Sequence, residues 1–110
     1  MRPEILKYLE DIRLSIEAIE RYTADVETAK DYERDQKTID SVERRLAIIG
    51  EALFKANKLD TEFDISDKHK IIRLRHILVH EYDLITHSTI WEIIHNDLPI
   101  LKQEVQSLLH

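Results

Sequence analysis

The sequence predicts an all-α fold, an antiparallel bundle of four helices in a single domain over residues 1–110. The chain has one Gly and two Pro among its 110 residues, which leaves little material for turns. Charged residues make up 35% and apolar residues 43%, the balance found in amphipathic helices. Apolar residues also recur every three or four positions over long segments, which is the helical period.

The first helix is predicted over residues 3–22. Pro3 suits the first turn of a helix because its missing N–H needs no partner there. The apolar stripe of this helix consists of Ile5, Leu9, Ile12, Ile16 and Ile19. The following segment, 23–35, is polar and acidic, and we expect it to hold at most a short extra helix at about 26–32.

The second helix is predicted over residues 36–57, followed by a loop over 58–63. Its stripe consists of Ile39, Val42, Leu46, Ile49 and Leu53. Gly50 weakens a helix interior, and a glycine in that position more often marks the close approach of another backbone.

The third helix is predicted to open near Ser66 and to run to about His80. The fourth helix is predicted to begin near Ser88 or Thr89, because the segment 89–92 (Thr-Ile-Trp-Glu) fits a capping box. Its apolar stripe continues through Pro99. That continuity indicates a kink, or a restart capped by Asn96 or Asp97.

Composition and charge exclude several classes of protein. The absence of cysteine excludes disulfides and thiolate metal sites. There is no membrane-spanning apolar run and no signal-peptide core near the N-terminus, so a cytoplasmic protein is expected. The net charge of −6 argues against a general nucleic-acid coat. Residues 64–80, with four basic and two acidic side chains, are nevertheless net positive.

The segment 73–82 concentrates ionisable chemistry in an otherwise apolar helix, with Arg73, Arg75, His76, His80 and Tyr82. Arginine grips phosphate, and histidine moves protons near neutral pH. The cluster therefore predicts a phosphodiester site. His80 would act as general base or acid, and Arg75 would hold the scissile phosphate. If the ribose 2′-hydroxyl is the nucleophile, the substrate is RNA, and neither metal nor cofactor is needed.

A helical projection divides this cluster. Arg75 falls within the apolar stripe, whereas Arg73, His76 and His80 fall on the opposite side. A guanidinium within an apolar stripe needs a carboxylate, a cleft or a partner subunit. Glu51 is one candidate carboxylate, although an ordinary solvated role for Glu51 is an equal alternative. Apolar residues nearly all round the helix predict a homodimer.

Less specific interpretations remain open at this point. His76 and His80, one turn apart, would suit a metal if Asp83, His87 or His95 supplied a third ligand, but nothing in the sequence places one there. A helical histidine is more often a surface residue than a catalyst. A tyrosine beside an apolar stripe is usually a packing residue.

The spacing of Arg75, four residues, and then His80-Glu81-Tyr82 resembles the signature of the HEPN superfamily of small helical ribonucleases, and is most similar to the HepT-like toxins. The family usually has Asn directly after the Arg, where this chain has His76. Two further blocks resemble the family, over 44–52 (Arg-Arg-Leu-Ala-Ile-Ile-Gly-Glu-Ala) and over 91–99, which holds Trp-Glu-Ile-Ile and then Asp-Leu-Pro.

The resemblance implies a HEPN-type bundle that dimerises with its two motifs facing across a cleft. It implies a toxin that cuts RNA without metal through Arg75 and His80, with Arg73 and His76 as supporting, RNA-binding residues. It further implies a partner, an MNT-type nucleotidyltransferase antitoxin, which can transfer AMP to Tyr82. The alternative is a catalytically inactive dimer that serves as a binding partner or modification target of such a nucleotidyltransferase. A purely structural dimer is a third possibility.

Overall fold

Helices form nearly all the regular structure in the computed structural model, which describes residues 1–61, 64–66, 68–81, 83 and 85–110. The elements in chain order are α1 (Pro3–Tyr22), α2 (Ala29–Glu33), α3 (Gln36–Leu59), α4 (Lys68–His80), α5 (His87–Glu92), a π-helical turn (Ile93–Asp97) and α6 (Leu98–Leu109). None of the residues in these described ranges lies in a strand. The predicted all-α helical bundle is confirmed.

The core lies between the two long helices, α1 and α3, which pack along their apolar stripes. Every residue of both predicted stripes is at most 1% exposed, namely Ile5, Leu9, Ile12, Ile16, Ile19, Ile39, Val42, Leu46, Ile49 and Leu53. Helix α6 packs on α1, and α4 packs on α3. Helix α1 has the predicted bounds, whereas α3 continues to Leu59, two residues beyond its predicted end.

The short extra helix is present as α2, slightly later in the chain than predicted. Thr28 caps it, since its side chain accepts a hydrogen bond from the Asp31 backbone N–H at 3.1 Å. The helix is anchored by Tyr32, which is completely buried. The side chain of Tyr32 thus anchors α2 to the core, while the rest of the segment is polar. A single buried residue gives no apolar period, so the sequence pattern placed this helix poorly.

The last helix begins earlier than predicted. Thr86 is its N-cap, and its side chain accepts a hydrogen bond from the Thr89 backbone N–H at 3.2 Å. The predicted capping box beginning at Thr89 is therefore wrong. The cap falls on Thr86, which was not among the predicted caps, three residues before Thr89, because the helix begins at His87.

A wide π-helical turn precedes Pro99, and the predicted side-chain cap is absent. The π-helical turn leads directly into α6, and no side-chain hydrogen bond from Asp97 caps α6. Of the predicted kink or restart, the restart is borne out in position, since Asp97 is the N-cap residue of α6, but the side-chain cap predicted there is absent. Pro99 lies in the first turn of α6, where its missing N–H leaves no intrahelical bond unmade.

None of the helices in the described ranges combines the length and the apolar character that crossing a bilayer requires.

Candidate active site

Helix α4 packs tightly against α3 at Gly50. A Cβ at this position would overlap the Cβ of Arg75, and it would lie 3.0 Å from the Arg75 Cγ and from the Ile71 backbone oxygen. The predicted close approach at Gly50 is therefore confirmed. The absence of a side chain here sets the distance between the two helices, and with it the position from which Arg75 extends.

The guanidinium of Arg75 is paired with a carboxylate of α3. Arg75 Nη2 lies 2.9 Å from Glu51 Oε2, and the two side chains are 31% and 35% exposed. Glu51 is also within 3.7 Å of the ammonium of Lys55, one helical turn away. Arg75 is thus held at a partly solvated surface with its charge compensated, where an incoming phosphate can still reach it.

This ion pair lies in a groove of about 380 Å³ between α1, α3 and α4. Arg75 and Val79 contribute the α4 wall, and Val79 is 47% exposed. Glu51 and Lys55 belong to the α3 wall, and Lys7 to the α1 wall. Arg75 therefore faces a concave, partly apolar space large enough for a small ligand or a piece of a polymer.

The histidines lie on the other side of α4. Arg73, His76 and His80 are exposed, whereas Ile71 and Leu74 are buried against the core. The rings of His76 and His80 contact each other, with 4.9 Å between their centroids and a tilt of 47°. The structure thus brings the two histidines together and places Arg75 apart from them.

Helical geometry between Arg75 and His80 continues to the end of α4. The Glu81 N–H still donates to the Ile77 oxygen at 2.8 Å. Five residues of α-helix rotate a side chain by about 140° from the starting direction. One copy of α4 therefore does not direct Arg75 and His80 toward the same phosphate.

Tyr82, the predicted modification site, lies outside the described residues. Asp83, one of the residues weighed as a third metal ligand, is exposed. The other two have aromatic neighbours: the His87 ring stands edge-on to Tyr32 at 6.3 Å, and the His95 ring lies 4.1 Å from Trp91. Within the described part of the chain, no three His, Asp or Glu side chains are grouped so that they could hold a metal ion.

The sequence interpretation missed two features. One is the set of cations around Arg75 in the groove, because Lys7 belongs to α1, and Arg44 and Lys55 belong to α3. The signal in the sequence is that Arg44 and Lys55 share a face of α3 with Glu51. The other is the aromatic group around Tyr32, whose ring centroid lies 5.6 Å from that of Trp91. Burial raises the pKa of Tyr32 well above its usual range, and the negative charges of Glu43 and Asp40 raise it further.

Comparison with known proteins gives a consistent set of relatives. A family model described as "Ribonuclease HepT-like" matches residues 12–108. The "Probable ribonuclease HepT" of Thermococcus cleftensis is 32% identical over 105 residues, covering 92% of each chain. The "Gamma-glutamylcyclotransferase and putative RNase MJ0434" of Methanocaldococcus jannaschii is 34% identical over 113 residues. That match covers 99% of this chain, which spans about half of the relative's length, 49%.

No solved structure matches the chain. The family model covers the second half of α1 and all of α3, and it includes α4 with its Arg75–His80 spacing. The match extends far beyond the short motif, over most of the bundle, so the chain belongs to the HepT-like ribonuclease family.

Proposed function

We propose that this chain is an endoribonuclease that works as a homodimer and cuts RNA without a metal ion, as the toxin of a toxin–antitoxin pair. The observation that carries the proposal is the division of α4. Arg75 is held toward the groove by Glu51 at 2.9 Å, and His80 is exposed on the opposite side of the same regular helix. Each chain therefore supplies half of a site, and a second copy supplies the other half.

The reaction is an internal transfer at phosphorus. His80 takes the proton of the ribose 2′-hydroxyl, and the 2′-oxygen attacks the adjacent phosphorus. The bond to the 5′-oxygen of the next nucleotide breaks, and that oxygen leaves as a hydroxyl after it receives a proton from water. The products are a 2′,3′-cyclic phosphate and a 5′-hydroxyl end.

Arg75 supplies charge rather than protons. Its guanidinium bonds the scissile phosphate and offsets the charge that develops on the non-bridging oxygens. Glu51 keeps the guanidinium oriented while no RNA is bound, so that little reorganisation is needed when the phosphate arrives. Arg73 and His76, both exposed beside His80, bind the flanking RNA in this proposal.

The test uses purified protein, a fluorescent single-stranded RNA and an excess of chelator. We expect the wild-type chain to cut, and Arg75→Ala and His80→Ala each to lose cleavage by about 10²-fold or more. Arg34→Ala, which changes an exposed arginine on the side of α2, is the matched control and keeps the wild-type rate. Intact RNA with the wild-type protein would contradict the proposal.

A mixing experiment tests the shared site. Arg75→Ala and His80→Ala chains are inactive alone, but a mixed dimer contains one site with an intact Arg75 and an intact His80 from different chains. Random reassortment should restore about one quarter of the wild-type rate. If each site lay within one chain, mixing would restore nothing.

The proposed partner is a nucleotidyltransferase antitoxin. The Tyr82 oxygen would attack the α-phosphorus of ATP, forming the Tyr–AMP bond and releasing pyrophosphate. The added negative charge and bulk, two residues from His80, would then repel and block RNA. Co-expression with the partner should add the mass of AMP to the wild-type chain and not to Tyr82→Phe, and cleavage should fall only in the modified chain.

A further inference from the structure

The groove beside Arg75 has an excess of positively charged side chains beyond the Arg75–Glu51 ion pair. Four of its lining side chains are cationic, Lys7, Arg44, Lys55 and Arg75, against the two carboxylates of Asp11 and Glu51. The protein as a whole has a net charge of −6. A local excess of positive charge on an acidic protein attracts a polyanion to one place and repels it elsewhere.

The four cations differ in whether they form ion pairs with neighbouring carboxylates. Lys7 Nζ lies 2.9 Å from Asp11 Oδ2, while Lys55 and Arg75 both pair with Glu51. Arg44 is exposed, and it makes no ion pair with any residue in the described ranges. Arg44 is thus the groove cation with its full charge available to a ligand.

The α3 residues that line the groove extend along the helix axis. Arg44, Ile48, Glu51 and Lys55 follow one another at spacings of four, three and four, which places them on a single face. From Arg44 to Lys55 the helix rises about 16 Å. A ligand that spans the groove from Arg44 to Lys55 is therefore a chain with several negative groups, and a single small anion is too short.

An aromatic ring lies in the same groove. Tyr8 of α1 is half-buried, and Lys7 Nζ is 5.9 Å from the centroid of its ring. Ala47 and Ala52 of α3, also in the lining, leave space above the helix surface. A cationic groove that contains a partly exposed aromatic ring is a combination that binds single-stranded nucleic acid, since bases stack on the ring while cations follow the phosphates.

We propose that the groove between α1, α3 and α4 is the track for the RNA strand next to the cleaved bond. In it, Arg44 binds a flanking phosphate and Tyr8 stacks a flanking base. The inference rests on the proposed ribonuclease function and adds the surface that holds the strand beside Arg75. Arg44 and Tyr8 are positioning residues, because neither touches the reacting atoms.

The test measures binding separately from cleavage. In the His80→Ala chain, which leaves RNA intact, the affinity for a fluorescent oligouridine is measured by anisotropy at several salt concentrations. Adding Arg44→Gln should weaken binding about fivefold at about 0.1 M salt and reduce the slope of log affinity against log salt by about 0.7. Adding Arg34→Gln, an exposed arginine outside the groove, should change neither.

Tyr8 is tested with a pair of variants. Tyr8→Leu should weaken binding about tenfold, whereas Tyr8→Phe, which keeps the ring, should bind as the parent does. Because Tyr8 also packs against the core, the far-ultraviolet circular dichroism and melting temperature of each variant are recorded, and Tyr8→Phe serves as the folded reference.

The outcomes separate this inference from the proposed function. If wild-type protein cuts RNA but Arg44→Gln binds like Arg34→Gln, the groove inference is wrong and the nuclease stands. If wild-type protein cuts nothing while RNA affinity still falls with Arg44→Gln, the groove stands and the nuclease proposal fails. If Arg44→Gln releases a bound nucleotidyltransferase and leaves RNA affinity unchanged, the groove is a protein-docking surface and the inference is overturned.

Discussion

Gly50 of α3 and Arg75 of α4 lie so close that a methyl group on the first would overlap the Cβ of the second. The same contact brings the Ile71 backbone oxygen within 3.0 Å of where that methyl would be, so a rotation of the Arg75 side chain alone does not relieve it. The spacing between the two helices, and hence the position of Arg75, depends on this glycine.

Gly50→Ala should therefore destabilise the protein, although alanine favours an isolated helix by about 1 kcal/mol. We expect the free energy of unfolding in urea to fall by about 1–2 kcal/mol, because overpacking must be relieved by moving a helix. RNA cleavage should fall as well, since Arg75 moves with α4. A variant more stable than the wild type would show that helix propensity dominates and that the contact relaxes freely.

Glu51→Gln should separate RNA binding from catalysis. The variant removes a negative charge from the groove, so the Kd for RNA should stay the same or become lower. It also releases the guanidinium of Arg75, so the single-turnover rate should fall about tenfold to 10²-fold. Stability should change by no more than about 1 kcal/mol, because both partners are partly exposed.

Glu33→Gln is the matched control for this pair of measurements, since Glu33 is an exposed carboxylate of α2 outside the groove. Equal cleavage rates for Glu33→Gln and Glu51→Gln would refute a role of Glu51 in orienting Arg75.

His76→Asn tests the supporting role of the histidine next to Arg75. Asparagine keeps a hydrogen-bonding side chain but loses the ring contact with His80, whose centroid lies 4.9 Å away. We expect cleavage to fall by less than about tenfold, against a loss of 10²–10⁴-fold for His80→Ala. His69→Asn, another exposed histidine of α4, should have the wild-type rate. If His76→Asn were as inactive as His80→Ala, His76 would itself take part in proton transfer.

Tyr32→Phe should stabilise the protein. The Tyr32 hydroxyl is buried, and none of the described residues offers it a hydrogen bond, so it carries a desolvation cost that phenylalanine avoids. The ring contacts with His87 and Trp91 are preserved. The free energy of unfolding in urea at neutral pH should rise by about 1 kcal/mol. No gain would indicate that solvent satisfies the hydroxyl.

The same substitution should also reduce the sensitivity to alkali. Burial raises the pKa of Tyr32 in the folded state, whereas in the unfolded chain the group ionises near its ordinary value of about 10. The stability associated with the neutral phenol is complete below that value and is lost as the pH rises above it. The difference in unfolding free energy between Tyr32→Phe and wild type should therefore grow between about pH 9 and pH 11. Tyr22→Phe is the half-buried control.

Local patterns were sufficient to predict the long helices. Helix α1 has an unbroken stripe and Pro3 at its start, so its bounds follow directly from the sequence. The start of α5 was misplaced because Thr86 and Thr89 are chemically equivalent caps. In the structure the helix begins at His87, and this makes Thr86 the N-cap.

The candidate site could be predicted from sequence along α4 and for one contact of α4 with α3. The separation of Arg75 from His80 follows from helical rotation, and Glu51 could be named because a buried cation needs a carboxylate. The groove combines residues from three helices, and Tyr32 and Trp91 are far apart in the chain, so no local pattern connects them. Such long-range contacts depend on how the helices pack.

The π-helical turn at Ile93–Asp97 acts as a phase shift within the last helix. Buried residues occur at Ile90, Ile93 and Ile94 and then at Leu98, Leu101 and Val105, so the buried face continues through the turn. A π-helical turn holds one residue more than the α-helical geometry needs. The wide turn absorbs the extra residue. Deleting one residue of the turn should therefore give a regular α-helix and leave Leu101 and Val105 on their present face, whereas the same deletion within a regular helix such as α3 would rotate everything after it by about 100°. A change in chain length is thus tolerated at this turn.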